Sequence, residues 1–344
     1  SMNIKTLMMV ETRLSNSFVI SDDLLVSNLK NDFNKIKNSS SHNVKEYEPE
    51  FIQKRSLSID LKSFLEIEFG NASFIEKLTR YSKRINTDPE PILLNRGKTK
   101  LKMLSWRWNQ LFQLRKRRNF LEKHTLKHIP DKKFIYFPLP VQPESQSYAW
   151  SPFHVNMISI IENIAKSIPS NYLLFVKEHP GQKSKNWRSI EIYEKITALP
   201  NVRLLHYNVN NWEMISKSNL VILINNSSGL EALFYKKPVI VFGDTFYDVT
   251  SMVKKVEKIE DLPSLIRDSL FSFKFSNDEL SFLIESIERN HIIVPYWGII
   301  KEFIYLTSTL IHSDAKKTVI EFEKIFQKYD DEFLIMASAY QKIS

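Results

Sequence analysis

The clearest pattern in the sequence is a series of short apolar runs after Lys133, each followed by a stretch with helical spacing. The runs contain almost no polar positions, which is typical of strands buried on both faces of a parallel sheet. Strand and helix alternate here, so the pattern predicts a doubly wound sheet with right-handed crossovers. The predicted strands are Phe134 to Leu139, Tyr172 to Val176, Val202 to Leu205, Leu220 to Ile224 and Val239 to Phe242.

Helical stretches lie between these strands and continue after them. The first has a marked start, because Ser151 can cap a helix and Pro152 suits its first position. Apolar residues then recur at helical spacing from Ile158 to Ile168. Further helices are predicted near 187–199, 212–217, 229–235, 261–272, 277–290, 299–312, 314–328 and 331–342, with a strand-like segment at 252–256.

The first 130 residues show few strand-like runs. Spacings of three and four predict helices over Leu24 to Ile36, Leu61 to Glu68 and Phe74 to Ile85. We therefore predict an α/β fold in which a doubly wound, Rossmann-like carboxyl-terminal sheet follows a reduced, mainly helical amino-terminal region.

This change of pattern divides the chain into three predicted parts. Residues 1–130 form the largely helical amino-terminal region, and residues 131–275 form the Rossmann-like domain. Residues 276–344 form carboxyl-terminal helices that pack back across the other two parts.

Composition removes several classes of chemistry. The 344 residues contain no cysteine, which excludes disulfides, thiolate nucleophiles and cysteine-ligated zinc. No apolar run approaches the roughly 20 residues that a membrane-spanning helix needs. No Asp-X-Asp, HExxH or metal-spaced histidine cluster is present, so we predict no metal site and no cofactor. We expect a cytoplasmic protein.

The net charge of +9 is concentrated in one segment. Residues 96–133 contain thirteen Lys or Arg and two acids, so the remainder of the chain is slightly acidic. Apolar residues recur within this segment at roughly helical spacing, from Leu101 to Leu121.

Three interpretations of this basic segment remain open. A basic amphipathic helix can lie on the anionic inner face of the cell membrane. Alternatively, the helix is solvated and packs its apolar side on the body of the protein. Nucleic-acid binding is the least favoured, although aromatic residues among basic ones fit it superficially.

Candidate chemistry follows the ends of the predicted strands. Ligands of open parallel sheets bind beyond the carboxyl ends of the strands. In the sequence NNSSGLE, Ser227, Ser228 and Gly229 would stand at the start of a helix, and a side chain at 229 would block a close approach by phosphate. Glu231 could accept hydrogen bonds from sugar hydroxyls. The simpler alternative is that a serine only caps the helix and Glu231 favours its first turn.

The sequence KEHPG, which begins at Lys177, follows another strand. His179, fixed by the proline after it, could donate to a phosphate or, when neutral, act as an acid or base. A single histidine is often structural, but this one shares a sheet edge with NNSSG. Gln142 and Glu144 belong to the same edge.

Together these segments resemble the capsule polysaccharide biosynthesis glycosyltransferases, a group that includes bacterial Kdo transferases of capsule assembly. The resemblance rests on FPLPVQPES, a helix that begins with Ser-Pro, VKEHPG and NNSSGLEALFYKKPVIVFGDTFYD, and covers about residues 133–260. It implies a GT-B-like fold and transfer of a sugar from a nucleotide-activated donor to a surface or capsular polysaccharide. A CMP-sugar such as CMP-Kdo is favoured as donor, and a UDP-sugar is the second option.

The resemblance also implies residue roles. His179 would contact the donor phosphate, the Ser227 to Gly229 loop would cradle it, and Glu231 would bind the ribose. The carboxyl-terminal domain would hold the donor, and the amino-terminal region would hold a glycan or lipid-linked glycan acceptor on the membrane side. The implied donor-binding residues are Gln142, Lys177, His179, Ser227, Ser228, Gly229 and Glu231.

The catalytic residues implied in the same way are Glu144, Asp244 and His179. A carboxylate should take the proton of the acceptor hydroxyl, and Glu144 and Asp244 are the candidates near the motifs. The first 130 residues lack the strands of a full amino-terminal Rossmann-like domain, so this domain is either trimmed or partly missing. Two alternatives follow: a teichoic-acid-type glycerol-phosphate or sugar-phosphate transferase, and a catalytically inactive GT-B-like binding or scaffold protein.

Overall fold

Six parallel strands form the central sheet of the protein. In the computed structural model their order across the sheet is β5-β4-β3-β6-β7-β8. The described residues are 7–14, 16–23, 26–39, 44–55, 100–141, 152–154, 156–183, 188–310 and 315–343. The strands are β3 (Phe134–Pro138), β4 (Leu173–Lys177), β5 (Val202–Leu205), β6 (Leu220–Leu223), β7 (Val239–Val241) and β8 (Val253–Lys255).

Helices cover both faces of this sheet, because each strand is apolar on both sides. Alternate residues of β3 belong to different cores, with Tyr136 on one face and Ile135 and Phe137 on the other. The prediction of an α/β fold with a doubly wound sheet is confirmed. The helices up to β8 are α1 (Ser27–Asn38), α2 (Pro49–Arg55), α3 (Lys100–His124), α4 (Met157–Ser167), α5 (Ile190–Ala198), α6 (Asn211–Lys217) and α7 (Ser228–Phe234).

Five further helices follow β8: α8 (Leu262–Phe271), α9 (Asn277–Asn290), α10 (Tyr296–Leu310), α11 (Ala315–Lys328) and α12 (Asp330–Ile343). Their bounds agree closely with the sequence pattern. The start of α4 differs from the prediction. Pro152–His154 forms a separate 3-10 turn, and Asn156 caps the helix by accepting the backbone N–H of Ser159 at 3.3 Å.

The amino-terminal region contains a small antiparallel sheet that the sequence pattern does not predict. Strands β1 (Met8–Glu11) and β2 (Ser17–Ser21) form a hairpin, and β9 (His291–Ile293) pairs with β2. These strands are too short to show a clear periodicity. Within the described part of residues 1–130, most residues in regular secondary structure are nevertheless helical.

Helix α1 joins this region to the rest of the molecule. It begins at Ser27, after Val26 in a left-handed conformation, and packs against α9. Phe33 is buried and meets Phe282 edge to face at 6.4 Å. The predicted helices at 61–68 and 74–85 lie outside the described residues, and the three-part division of the chain stays a prediction.

The packing of α1 can be tested by shortening one core side chain. We expect Phe33→Ala to lower the free energy of unfolding by about 3–5 kcal/mol, because it removes a buried ring from the core shared with the sheet. Phe271→Ala is the matched control, since Phe271 is 66% exposed, and should change stability by about 0.5 kcal/mol or less. Urea unfolding measures both; equal effects would contradict the packing.

Candidate functional site

The candidate site lies where the strand order reverses. The chain proceeds outward from β3 through β4 to β5, then returns to the other side of β3 for β6 to β8. The loops after β3 and β6 therefore leave in opposite directions and open a crevice at the carboxyl edge, the usual ligand position in such sheets. Asn226 Nδ2 donates to the carbonyl of Pro138 at 3.4 Å and ties the two strand ends together.

The loop after β6 is capped by an asparagine and not by either serine. Asn226 Oδ1 accepts the backbone N–H of Ser228 at 3.1 Å, whereas Ser227 makes no capping bond with its side chain. The Ser228 hydroxyl has no hydrogen-bond partner within the described ranges. The capping function is thus filled, and the Ser228 hydroxyl remains available for a ligand at the edge of the crevice.

Gly229 is required by a neighbouring aromatic ring. A Cβ atom at 229 would lie 2.5 Å from the hydroxyl oxygen of Tyr247 and 2.7 Å from its ring. The same hydroxyl donates to the carbonyl of Asn226 at 2.5 Å. From the sequence we expect that a side chain at 229 would block the approach of a phosphate. In the structure the position that a Cβ at 229 would occupy lies against Tyr247, which supports the loop.

The end of β4 supplies a cation and an imidazole. Lys177 is 5% exposed, and its ammonium has no hydrogen-bond or salt-bridge partner in the described part of the chain. Burial lowers the pKa of Lys177 to about 8, although the charges of Glu231 and Glu178 oppose this shift. Such an unpaired buried amine is typical of a site that receives an anion.

His179 is held as a neutral hydrogen-bond donor. Burial lowers the pKa of His179 to about 4, and nearby positive charges, including Lys177, add to the shift against the opposing charge of Glu178. Its Nδ1 accepts the backbone N–H of Gly181 at 3.0 Å. Because Nδ1 is an acceptor, the proton of the neutral ring lies on Nε2, and Nε2 has no partner among the residues described.

A buried ion pair fixes the loop that carries His179. Glu178 accepts from the guanidinium of Arg188 and from the hydroxyl of Tyr193, and its Oε1 accepts the N–H of His179 at 2.7 Å. Arg188 also donates to the carbonyl of Pro140 at 3.0 Å. The network links the loops after β3 and β4. Sequence reasoning missed it because no motif marks Arg188 or Tyr193 as a partner of Glu178.

Glu231 is part of a second polar network beneath the crevice. The Tyr136 hydroxyl donates to Asn211 Oδ1 at 2.7 Å, and Asn211 Nδ2 donates to Glu231 Oε2 at 2.9 Å. Ser227 Oγ lies 3.4 Å from Glu231 Oε1. Burial raises the pKa of Glu231, partly offset by Arg13, by these hydrogen bonds and by Lys177. With 7% exposure, Glu231 mainly shapes the floor of the site.

Arg13 is a charged residue near the site that no sequence motif marks as a candidate. It lies in the turn between β1 and β2 with a φ of 63°, close to Glu11, whose Oε1 is 3.4 Å from the Arg13 guanidinium. Burial lowers the pKa of His179 and raises that of Glu231; the charge of Arg13 lowers both values. The charge of Arg13, on the amino-terminal hairpin, therefore acts on both His179 and Glu231.

Among the remaining predicted residues, Asp244 is described, and it is not brought into this cluster. Asp244 receives a hydrogen bond from Lys255 at 2.6 Å, and no described contact links Asp244 to His179 or Ser228. Gln142 and Glu144 lie outside the described residues. Within the described residues no group of three metal-binding side chains is found, and no helix is long and apolar enough to cross a membrane.

Fold and crevice together define an α/β protein with a Rossmann-ordered sheet and a polar site at its switch point. Residues 76–260 match the family described as "Capsule polysaccharide biosynthesis protein". Since the match covers more than half of the 344 residues, the chain belongs to this family. The resemblance drawn from the sequence motifs is confirmed.

Individual similar proteins are more distant. Protein FixF of Sinorhizobium fredii is 29% identical over 123 residues, which are 35% of this chain and 29% of FixF. The chain thus matches less than a third of that relative. Among solved structures, the KpsC beta Kdo 2,7 transferase of Thermosulfurimonas dismutans has a TM-score of 0.31 and 19% identity, covering 59% of this chain and 69% of KpsC. Anabaena HepE in complex with UDP-glucose has a TM-score of 0.34 and 13% identity, covering 57% and 52%.

The contact between Gly229 and Tyr247 predicts a strong coupling between these positions. Gly229→Ala should lower the free energy of unfolding by about 1–3 kcal/mol, because the ring must move. The cost should fall in a Tyr247→Ala background, which a double-mutant cycle in urea measures. Gly298→Ala is the control and should be neutral or stabilising, since its Cβ would meet Pro295 Cβ at 3.8 Å and the Tyr329 hydroxyl at 4.0 Å, both ordinary contacts. An unchanged cost in both backgrounds would refute the contact.

The environment of His179 predicts an unusual titration. Its ring should stay neutral, with the proton on Nε2, until the pH approaches its pKa of about 4. Nitrogen-15 NMR of the histidine rings measures both the tautomer and the pKa. The pKa of His179 in the folded protein lies below the ordinary 6.5. The contribution of His179 to the free energy of unfolding is therefore fully present above pH 6.5 and is lost as the pH falls toward 4. His179→Asn should remove that part of the pH dependence.

His291 provides an internal control for the tautomer of His179. Its Nδ1 lies 3.1 Å from the carbonyl oxygen of Ile287, so its neutral ring should show the opposite, Nδ1–H tautomer. A His179 that titrates near 6.5, or that shares the tautomer of His291, would be incompatible with the described site.

Proposed function

We propose that this protein is a glycosyltransferase that moves a sugar from a nucleotide-activated donor to a surface or capsular polysaccharide. Membership of the capsule polysaccharide biosynthesis family supports the class of reaction. The observation that carries the proposal for this chain is the buried Lys177 at the end of β4, which has no partner among the described residues, beside the neutral His179. These groups match an anionic phosphate better than any apolar ligand.

In the proposed reaction, negative charge develops on the nucleotide phosphate as its bond to the sugar breaks. His179 Nε2–H and the Lys177 ammonium stabilise that charge, and they are held in place before the substrate arrives. The Ser228 hydroxyl lies at the same edge and donates to the same group. The Glu178–Arg188 pair keeps the His179 loop from relaxing away.

Arg13, in the amino-terminal hairpin, adds a second cation beside Lys177. We assign it to the outer side of the phosphate or to an anionic group on the transferred sugar. In either position the amino-terminal region closes the crevice over the donor. Glu231 then holds the ribose side of the site, although its two oxygens are already engaged by Asn211 and Ser227.

In the proposed reaction a carboxylate accepts the proton of the acceptor hydroxyl. Glu144 follows β3 in the sequence by six residues. Asp244 is held by Lys255. We therefore favour Glu144 as the general base, and a glycan or lipid-linked glycan as the acceptor.

Two choices of donor and one alternative reaction remain in the proposal. A CMP-sugar such as CMP-Kdo is favoured, with a UDP-sugar second. A teichoic-acid-type glycerol-phosphate or sugar-phosphate transferase would use the same phosphate edge, and its product would contain phosphorus. An inactive scaffold protein would bind none of these nucleotides.

The donor site is tested by thermal-shift titration with CMP, UDP, CDP and their sugars. Lys177→Met should weaken nucleotide binding by about 10- to 100-fold, because one charge-assisted hydrogen bond is lost. Without nucleotide, the same variant should melt at or above the wild-type temperature, since it removes an unpaired buried charge. His179→Ala should also lose the nucleotide shift.

Lys254→Met is the matched control, because Lys254 is exposed on β8, and its nucleotide shift should equal that of the wild type. Equal shifts in Lys177→Met and Lys254→Met would contradict the proposed site. Phosphorus-31 NMR of the purified product separates sugar transfer from sugar-phosphate transfer.

A further inference from the structure

The amino-terminal half of α3 exposes large apolar side chains. Trp108, Leu111 and Phe112 are 66%, 54% and 64% exposed. Residues at spacings of three and four share one face of a helix, so these three form a continuous strip with Arg115. Most exposed apolar residues occur singly on protein surfaces, and a contiguous group marks an interaction site.

The opposite face of α3 already provides its packing on the body. Arg117 and Leu121 are buried, and Phe120 stacks near Tyr193 of α5 with ring centres 6.4 Å apart. Leu126, just after the helix, bonds to the edge strand β5 through the carbonyl of Leu204 at 2.9 Å. The helix is therefore anchored through its carboxyl-terminal half, and the side chains of the Trp108 strip stay largely exposed.

The charges around the strip identify its partner. Helix α3 contains eight Lys or Arg and a single acid, Glu122. Arg115, Lys116 and Arg118 are exposed directly beside the aromatic residues. Two copies of this face would repel each other, because both are positively charged. An anionic lipid surface attracts the cations at its headgroups and buries the apolar side chains in its apolar interior.

We propose that the outer face of α3, formed by Trp108, Leu111, Phe112, Arg115, Lys116 and Arg118, docks on an anionic lipid surface. The helix lies in the plane of the interface, with the three apolar side chains among the upper acyl chains and the cations at the headgroups. Since no described helix could cross a membrane, the contact is peripheral. It places the protein at the inner face of the cell membrane, independently of the proposed sugar transfer.

Vesicle co-sedimentation of the full chain tests this docking. Vesicles of phosphatidylcholine with about one-third phosphatidylglycerol should retain the protein, and pure phosphatidylcholine should retain much less. Raising the salt should release it, because the attraction to lipid charges is screened. The double variant Trp108→Ser/Phe112→Ser and the charge variant Arg115→Glu/Lys116→Glu should each bind about tenfold more weakly or worse.

The controls alter other exposed residues of the same types. Phe271→Ser removes an exposed ring from α8, and Lys254→Glu/Lys258→Glu reverses two exposed charges near β8; both should bind vesicles as the wild type does. All variants should keep the wild-type melting temperature.

Three results would overturn the proposal. The first is no retention by anionic vesicles at low salt, and the second is equal loss in the α3 and control variants. The third is a different partner for this face: a dimer that Trp108→Ser dissociates, or RNA binding that depends on α3 while vesicles do not bind.

Discussion

The reversal of strand order between β3 and β6 is the constraint on which the rest of the structure depends. Because the chain leaves these neighbouring strands in opposite directions, no crossover helix can cover the gap between their carboxyl ends. The apolar runs that fill both faces of the sheet fix this order through burial alone. The polar segments after each strand then have one common edge.

The two adjacent residues Lys177 and Glu178 illustrate how this edge separates stability from ligand binding. Side chains alternate along a strand, so the two point to opposite faces. Glu178 is buried with Arg188 and Tyr193, and this network fixes the backbone of the next residue. Lys177 is as deeply buried but has no such partner in the described part of the molecule. A buried charge left without a counterion is costly to a protein unless a ligand supplies one.

Much of the sheet domain follows from the sequence, because buried parallel strands give unmistakable apolar runs and helices keep their spacing. The hairpin β1–β2 escaped prediction because it is short and because the residues of β9 that pair with β2 are more than 270 positions away. The segments after β4 and β6 share one sheet edge, as the pattern predicts, but the contacts of their side chains depend on tertiary structure, and their role as a site stays a prediction. Neither the ring of Tyr247 over Gly229 nor the approach of Arg13 leaves a local pattern. The cap by Asn226 could have been found, since asparagine is a common N-cap.

The central claim is that the loops after β4 and β6 together receive the phosphate of a nucleotide donor. A crystal structure with the best-bound nucleotide of the CMP, UDP and CDP series tests it most directly. The account predicts a phosphate oxygen within about 3.2 Å of His179 Nε2 and of Lys177 Nζ, with Ser228 on its other side. A phosphate bound away from both side chains, or Lys177 paired with a protein carboxylate while the nucleotide lies elsewhere, would contradict it.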